Sequence, residues 1–262
     1  MDLFLKNKKI LVTGGSKGIG LACAKVLAQE GADIIISSRD ENNLDQALSQ
    51  FDKHTGDVLS FSADLKSSRS IDSLVDFAID RFGHIDCLLL NTGGPPMGAA
   101  LEHDDKAWQE AIDSLLMSVI RLTRQFVPVM QKRNFGRIIN ISSTGVKQPI
   151  PGLILSNSVR QAVGTYLKTL SSEVAENNVL INSLLPGSTN TGRLHSLHES
   201  IANKTGKSID EVIAGRKKNI PAGRFAEPGH LANLAAFLLS EKNAYITGQS
   251  IAVDGGMVNF PL

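Results

Sequence analysis

A short apolar run, a glycine-rich turn and an amphipathic segment follow one another directly near the N-terminus. Lys9–Thr13 is typical of a strand, and the segment 21–29 carries apolar residues at helical spacing. Gly14, Gly18 and Gly20 lie between them. Glycine lets the chain turn sharply and leaves backbone N–H groups open to an approaching ligand. A strand that enters a helix through such a turn predicts the first unit of a parallel α/β sheet.

Strand-like and helix-like segments alternate along the rest of the chain. Further strands are predicted at 34–36, 58–63, 86–90, 137–141, 179–185 and 250–253. Helices are predicted at 41–51, 71–81, 105–133, 156–176 and 228–239. This order predicts an α/β fold, a single Rossmann-type doubly wound parallel sheet of about seven strands with helices on both faces. Residues 1–262 are then predicted to form one domain. The polar stretch 192–221 is predicted to be a lid, and the alternative is a plain surface helical excursion.

Charge and cysteine content exclude several classes of function. The chain has 27 basic and 26 acidic residues, so neither nucleic acid nor an anionic membrane is expected as a partner. Cys23 and Cys87 lie far apart in apolar segments and are interpreted as buried thiols, and no metal-ligand spacing occurs. The sequence has no apolar run of membrane-spanning length and no signal-peptide pattern, which predicts a cytoplasmic protein.

The end of the second predicted strand indicates which nucleotide the turn would hold. An NAD site requires an acid there to accept a hydrogen bond from the ribose 2′-hydroxyl. This chain has Ser37, Ser38 and Arg39 instead, with Lys17 inside the glycine turn. Because a guanidinium fork binds phosphate oxygens, we expect NADP(H) to be preferred over NAD(H). The alternative is that Lys17 and Arg39 are only solvated surface charges.

Several short motifs occur in a specific order along nearly the whole chain. They are Thr13–Gly20 (TGxxxGxG), Asp64-Leu65, Asn91-Thr92-Gly93, Ile139–Ser143, Pro186–Thr191, Tyr245–Gln249 and Val253–Gly256. In these motifs the chain resembles the short-chain dehydrogenase/reductase family, and within it most closely the 3-oxoacyl-[acyl-carrier-protein] reductases. One departure is Leu90, which stands where the family has the first asparagine of its NNAG motif.

The resemblance implies a set of cofactor-binding residues spread over the carboxyl ends of the strands. They are Gly14, Ser16, Lys17, Gly18, Ile19, Gly20, Ser38, Arg39, Asp64, Leu65, Asn91, Thr92, Gly93, Arg160, Pro186, Gly187, Thr189 and Thr191. The family also implies a homo-oligomer, a tetramer or dimer, joined through the two long helices predicted at 105–133 and 156–176.

The family's catalytic groups are a tyrosine, a lysine four residues later, a serine and an asparagine. By this resemblance Ser143 is the serine, while Ser156 stands at the tyrosine position, Arg160 at the lysine position and Leu115 at the asparagine position. The chain has two tyrosines, and neither is followed by lysine four residues later. A serine hydroxyl is a far weaker acid than a phenol, so the usual general acid is missing. Ser143, Ser156 and Arg160 are therefore the candidate catalytic residues.

Three functions remain open at this point. The first is an NADP(H)-dependent oxidoreductase that transfers hydride between carbonyl and alcohol on a small or acyl-thioester substrate, with an atypical Ser/Ser/Arg site. The second is a non-catalytic NADP(H)-binding or regulatory protein. The third is a lyase or isomerase whose lid meets an anionic substrate. Basic residues of the lid are Arg193, His195, His198, Lys204, Lys207, Arg216, Lys217 and Lys218. Each of these functional roles has a structural alternative. The lid charges could be only solvated, Ser143 could only satisfy backbone groups at a strand end, and Arg160 could be buried against another subunit.

Overall fold

The computed structural model describes residues 2–51 and 56–259 and contains one parallel sheet. Its strands are β1 (Lys9–Thr13), β2 (Asp33–Ser38), β3 (Val58–Ser62), β4 (Cys87–Leu90), β5 (Gly136–Ile141), β6 (Val179–Pro186) and β7 (Ser250–Val253). In the described part of the chain the seven strands have the order β3-β2-β1-β4-β5-β6-β7. The predicted doubly wound α/β fold is confirmed.

Helices cover both faces of this sheet. They are α1 (Gly18–Gln29), α2 (Glu41–Leu48), α3 (Ser68–Phe82), α4 (Asp105–Ala111), α5 (Ser118–Arg133), α6 (Ile154–Val174), α7 (Gly192–Thr205), α8 (Ile209–Lys218) and α9 (Pro228–Leu239). The long helix predicted at 105–133 is interrupted, because a π-helical turn, Ile112–Met117, separates α4 from α5. The stretch predicted as a lid at 192–221 is largely helical, formed by α7 and α8.

Alternate strand residues supply two apolar layers. Ile10 and Val12 of β1 face α1, α2 and α9, whereas Leu11 faces α3, α5 and α6. The inner strands bury both of their faces in this way, which is why β1 and β4 read as continuous apolar runs, whereas the edge strands β3 and β7 are less buried. Cys23 and Cys87 lie in the first layer as free thiols, and burial raises the pKa of Cys23 to about 12. Their interpretation as buried thiols is confirmed.

The strand order reverses between β1 and β4, which places a crevice at the carboxyl ends of these two strands. The chain runs outward from β1 to β3 and then returns to place β4 on the other side of β1. Loops that leave β1 and β4 therefore diverge to opposite faces, and ligands of such sheets bind between them. No helix in the described part combines the length and apolar character that a membrane span requires. Residues 2–51 and 56–259 also contain no cluster of three His, Cys, Asp or Glu side chains that could hold a metal.

Candidate active site

Thr13 and Asn91 join the ends of β1 and β4. The Thr13 hydroxyl donates to the Asn91 carbonyl at 2.9 Å, and the Asn91 backbone N–H donates to the Thr13 hydroxyl at 2.9 Å. The Asn91 side-chain amide donates to the Gly14 carbonyl at 3.0 Å. These bonds fix the glycine turn to the fourth strand, so Asn91 has a structural role at the floor of the crevice.

The glycines of the turn are required by close approach between chain segments. Gly14 has a φ of +56°, and a Cβ on it would lie 2.7 Å from the Asn91 carbonyl oxygen. A Cβ on Gly20 would lie 2.2 Å from the Gly14 carbonyl oxygen. Gly18 has a φ of +57° and packs against the Thr191 methyl group, which follows β6. The turn therefore contacts both β4 and the segment after β6, as a shared ligand-binding floor requires.

A groove of about 410 Å³ runs along this floor. Among its lining residues are the predicted cofactor ligands Gly14, Ser16, Ser38, Arg39, Asp64, Leu65, Asn91, Thr92 and Gly93. Lys17 is exposed and does not line the groove, and Ile19, Ser143, Ser156 and Arg160 do not line it either. The groove therefore holds the nucleotide half of the predicted site.

The rim of the groove carries the groups that would bind an adenosine phosphate. Arg39 is exposed at the end of β2 and makes no ion pair within the described residues. Ser37, next to it, is buried, and its hydroxyl has no hydrogen-bond partner within those residues. One Asp64 carboxylate oxygen accepts from the Lys66 N–H at 3.1 Å, which leaves the other oxygen open to a ligand donor.

Sequence reasoning missed the far wall of the groove. Lys66 follows the third strand, and its ammonium group pairs with Glu110 of α4 at 2.8 Å. Asn43 of α2 and Ser114 of the π-helical turn also line the groove. No local motif marks these positions, because they come together only when α4 packs over the loop that follows β3.

Ser156 and Arg160 lie together on the buried face of α6. The Arg160 Nε–H donates to the Ser156 hydroxyl oxygen at 3.2 Å, and Nη1 donates to the Ile141 carbonyl at 2.9 Å. Arg160 is 8% exposed, and burial first, then the nearby Arg193, lowers the pKa of its guanidinium to about 10. The group therefore stays charged at neutral pH. These two candidate residues therefore pair with each other beside the end of β5.

Ser143 begins the short 3₁₀ turn that follows β5. Its hydroxyl oxygen accepts from the Gly145 N–H at 3.0 Å, which is the structural role that serine often has at a strand end. The Asn157 side chain supports the same loop by donating to the Ile150 carbonyl at 2.9 Å. Since the Ser143 oxygen is the acceptor of the turn, its O–H hydrogen remains available to a substrate.

Leu115 lies in the π-helical turn and is 2% exposed. It packs with Ala111, Leu155 and Val159, between α4 and α6. The position that the resemblance assigns to the family's asparagine is therefore the centre of an apolar cluster. No amide side chain belongs to this cluster within the described residues.

The segment after β6 reaches from the sheet to α7. Gly187 packs against Asp254, and its N–H donates to the Val253 carbonyl at 3.1 Å. Thr191 caps α7 by accepting from the Leu194 N–H, and its hydroxyl donates to the Thr189 carbonyl at 3.3 Å. Both predicted threonines are therefore engaged with backbone groups beside the glycine turn.

The basic residues of the predicted lid separate into two groups. Lys204, Lys207, Lys217 and Lys218 are exposed. His198 is 2% exposed, and neither ring nitrogen has a hydrogen-bond partner within the described residues. Arg216 donates to the Ser188 hydroxyl at 3.2 Å, and Arg193 donates to the carbonyls of Gly94 and Pro95 at 3.0 and 3.2 Å. Only Arg193 and Arg216 therefore reach loops at the ends of the strands.

Comparison with known proteins gives consistent relatives over the full chain. The family described as Enoyl-(Acyl carrier protein) reductase matches residues 14–258. A putative ketoacyl reductase of Streptomyces coelicolor is 31% identical over 95% of this chain and 97% of its own length. The 3-oxoacyl-[acyl-carrier-protein] reductase FabG of Chlamydia muridarum is 30% identical over 98% of this chain and 100% of its own length. L-Sorbose reductase from Gluconobacter frateurii, solved with NADPH and L-sorbose, superposes with a TM-score of 0.94 at 31% identity, covering 100% of both chains.

Proposed function

The chain belongs to the short-chain dehydrogenase/reductase family, a family of oxidoreductases, and from that premise we propose that it is an NADPH-dependent carbonyl reductase. Its site combines Ser143, at the family's serine position, with Ser156 and Arg160, which stand at the tyrosine and lysine positions. A small carbonyl compound or an acyl thioester is the proposed substrate class. The observation that carries the proposal is the pairing of Arg160 with Ser156 beside the end of β5. A cytoplasmic location and a homo-oligomeric state belong to the same proposal.

The groove has the donors that NADP(H) requires. The Gly14 turn and the N-terminus of α1 would hold the pyrophosphate, Arg39 the 2′-phosphate and Asp64 the adenine amine. Preference for NADP(H) over NAD(H) is supported by the free Arg39 and by relatives solved with NADPH. When bound, NADPH supplies the hydride for carbonyl reduction.

The protein's own groups act on the substrate oxygen. Ser143 and Ser156 each accept a hydrogen bond from an N–H, so each can donate its hydroxyl hydrogen to the carbonyl oxygen. Arg160 polarises Ser156 and places a fixed positive charge beside the oxygen as negative charge develops there. Because both hydroxyls have high pKa values, the proton itself comes from water or from the substrate. The missing acid is expected to slow the reaction by about a hundred- to ten-thousand-fold.

Cofactor titration combined with a turnover assay tests the proposal. Purified protein is titrated with NADPH and NADH, and NADPH oxidation is then followed with ketones and 3-oxoacyl thioesters. We expect tight NADPH binding and slow oxidation, with kcat/KM falling about tenfold or more in Arg160→Gln, which removes the fixed charge. Arg224→Gln, at an exposed arginine, is the matched control and should behave as wild type. Failure to bind either nucleotide would overturn the proposal.

A non-catalytic NADP(H)-binding protein is the second candidate. Leu115 favours it, because an apolar cluster fills the position from which the family supports its proton relay. This alternative predicts the same NADPH affinity with no oxidation of any carbonyl. It also predicts that Arg160→Gln changes cofactor affinity alone, since Arg160 would then serve only the ribose hydroxyls.

A further inference from the structure

Arg160 is a buried cation with neutral partners only. Its Nε and Nη1 atoms donate to the Ser156 hydroxyl and the Ile141 carbonyl. Among residues 2–51 and 56–259, no acceptor contacts its Nη2 atom. This nitrogen is accessible to solvent. Two N–H groups therefore remain open to whatever enters the site. A buried charge that lacks a counter-charge is costly, which favours an anion as the natural occupant.

Arg193 brings a second guanidinium to the same end of the sheet. It lies in the first turn of α7 and donates to the Gly94 and Pro95 carbonyls beyond β4. A Cβ on Gly94 would lie 2.2 Å from Arg193 Nη2, so the absence of a side chain at Gly94 is what admits the guanidinium. Arg193 forms no ion pair in the described part of the chain.

These two cations influence one another, and no acid offsets them. Arg193 lowers the pKa of Arg160, and burial lowers the pKa of both. No aspartate or glutamate contributes to either shift. The acids that line the groove are Asp40, Asp64 and Glu110, and Glu110 is already paired with Lys66. Arg193 is exposed, so water screens its charge in the free protein, whereas Arg160 is buried. A bound carboxylate could pair with both guanidinium groups.

We propose that the substrate is a small carbonyl compound that carries a carboxylate, and that this carboxylate binds between Arg160 and Arg193. This inference rests on the proposed reductase function and specifies its substrate class. Arg193, on the lid, selects for the charge at the mouth of the site. Arg160 meets the same carboxylate on the buried side while Ser143 and Ser156 face the carbonyl oxygen. Pro95, whose carbonyl accepts from Arg193, and Pro96 line the groove, so charge is the main recognition element beside them.

Matched acid and neutral compounds test this inference. Binding of oxamate and malonate, which carry carboxylates but are not reduced, is measured on the NADPH-loaded protein by nucleotide fluorescence. Oxamide and malonamide are the neutral counterparts. Turnover is measured in parallel with pyruvate, methyl pyruvate, acetoacetate and ethyl acetoacetate. The variants are Arg193→Gln, Arg193→Lys and, as a control that removes an exposed lid charge, Lys204→Gln.

The expected result is saturable binding of a carboxylate without binding of its amide. Arg193→Gln should weaken this binding about tenfold or more, because a charge-assisted hydrogen bond is lost. Arg193→Lys should restore part of the affinity, whereas a lid that is merely loosened would not recover. Lys204→Gln should change the affinity less than twofold. Keto acids should be reduced in preference to their esters, through a lower KM.

Different failures would identify which proposal is wrong. Three results would each overturn the carboxylate site. Amides could bind as well as acids, carboxylates could fail to bind at all, or the Arg193→Gln variant could bind carboxylates normally. Reduction of esters with kcat/KM equal to that of the acids would overturn it and leave the reductase function intact. Arg193-dependent carboxylate binding with no turnover of any carbonyl would support the site and reject the reductase function.

Discussion

At the scale of single residues, Ser156 and Arg160 form a hydrogen-bonded pair. The Arg160 guanidinium spans from the Ser156 hydroxyl to the Ile141 carbonyl. A lysine ammonium is a compact point charge, whereas the planar fork makes both contacts at once. The positions of both residues were predictable from motif spacing. The proximity of Arg193 to Arg160 was not predictable, because the two residues are 33 positions apart in the sequence and β6 lies between them.

Arg39 carries the residue-scale prediction on cofactor choice. Its guanidinium is exposed on the groove rim without an ion pair in the described chain, so it is available to a 2′-phosphate. We expect Arg39→Gln to weaken NADPH binding about ten- to a hundredfold, since one charge-assisted contact is lost, while NADH binding stays unchanged. Fluorescence titration of both nucleotides measures this. Arg69→Gln, on α3, is the control. Equal losses for NADPH and NADH would mean that Arg39 does not recognise the 2′-phosphate.

At the scale of elements, periodicity found the strands and most helices but not the break between α4 and α5. One apolar stripe runs through 105–133, and the sequence gives no proline or glycine near the π-helical turn Ile112–Met117. Leu115 of that turn packs in one cluster with Leu155, a contact between distant segments that no local pattern marks. For the stretch 192–221 helices were predicted only as the alternative to a lid. Their exposed faces are polar, and only a narrow stripe, including Leu194, His198 and Val212, is buried.

Leu115→Asn tests whether the asparagine missing from α4–α5 can simply be restored. The side chain is 2% exposed among apolar neighbours, so a polar amide would be buried without partners. We expect the free energy of unfolding to fall by about 2–5 kcal/mol, with no gain in turnover. Urea unfolding measures the change, and Leu115→Met should cost less than about 1.5 kcal/mol. A stable Leu115→Asn variant with faster NADPH oxidation would show instead that the site accepts a relay water.

His198 gives α7 a pH dependence. The pKa of this imidazole is below its ordinary value of 6.5, first because of burial, then because of Arg216 and His195. The unfolded chain therefore binds the proton more readily, and stability is lost as pH falls through about 6.5 toward the lowered folded pKa. His198→Phe keeps the ring beside Phe225, 5.4 Å away, and removes the titration.

Thermal unfolding between pH 7.5 and about 5 measures this effect. We expect the midpoint of the wild-type protein to fall further than that of His198→Phe over this window. Lys204→Gln, at an exposed position of the same helix, retains the buried imidazole and should follow the wild type. Parallel curves for wild type and His198→Phe would mean that His198 is protonated in the folded chain and already has a partner.

At the scale of the whole molecule, the doubly wound parallel sheet was predicted from strand–helix alternation and the handedness of crossovers. The oligomeric state could not be predicted in this way, because the apolar residues of the two long helices pack in the chain's own core. In α6, Val163 and Leu167 are buried in that core, whereas the outward face carries small and polar side chains. Ser158, Gln161, Ala162, Thr165 and Thr169 are exposed on it. The homo-oligomer therefore stays a prediction from family resemblance. A face of small residues still permits close helix packing between copies.

Ala162→Arg tests the oligomer at the centre of this face. If α6 packs against α6 of a second copy, the long cation is forced into the interface beside its own symmetry mate, and like charges repel there. We expect light scattering on eluting protein to report a dimer or tetramer for wild type and a smaller species for Ala162→Arg. Ser73→Arg, on the exposed side of α3, adds the same charge outside both long helices and should leave the mass unchanged. If wild type elutes as a monomer, the oligomer prediction is wrong. If Ala162→Arg keeps the wild-type mass, the copies associate through another surface. Leu101 and Tyr245, each 98% exposed, are then the next apolar positions to substitute.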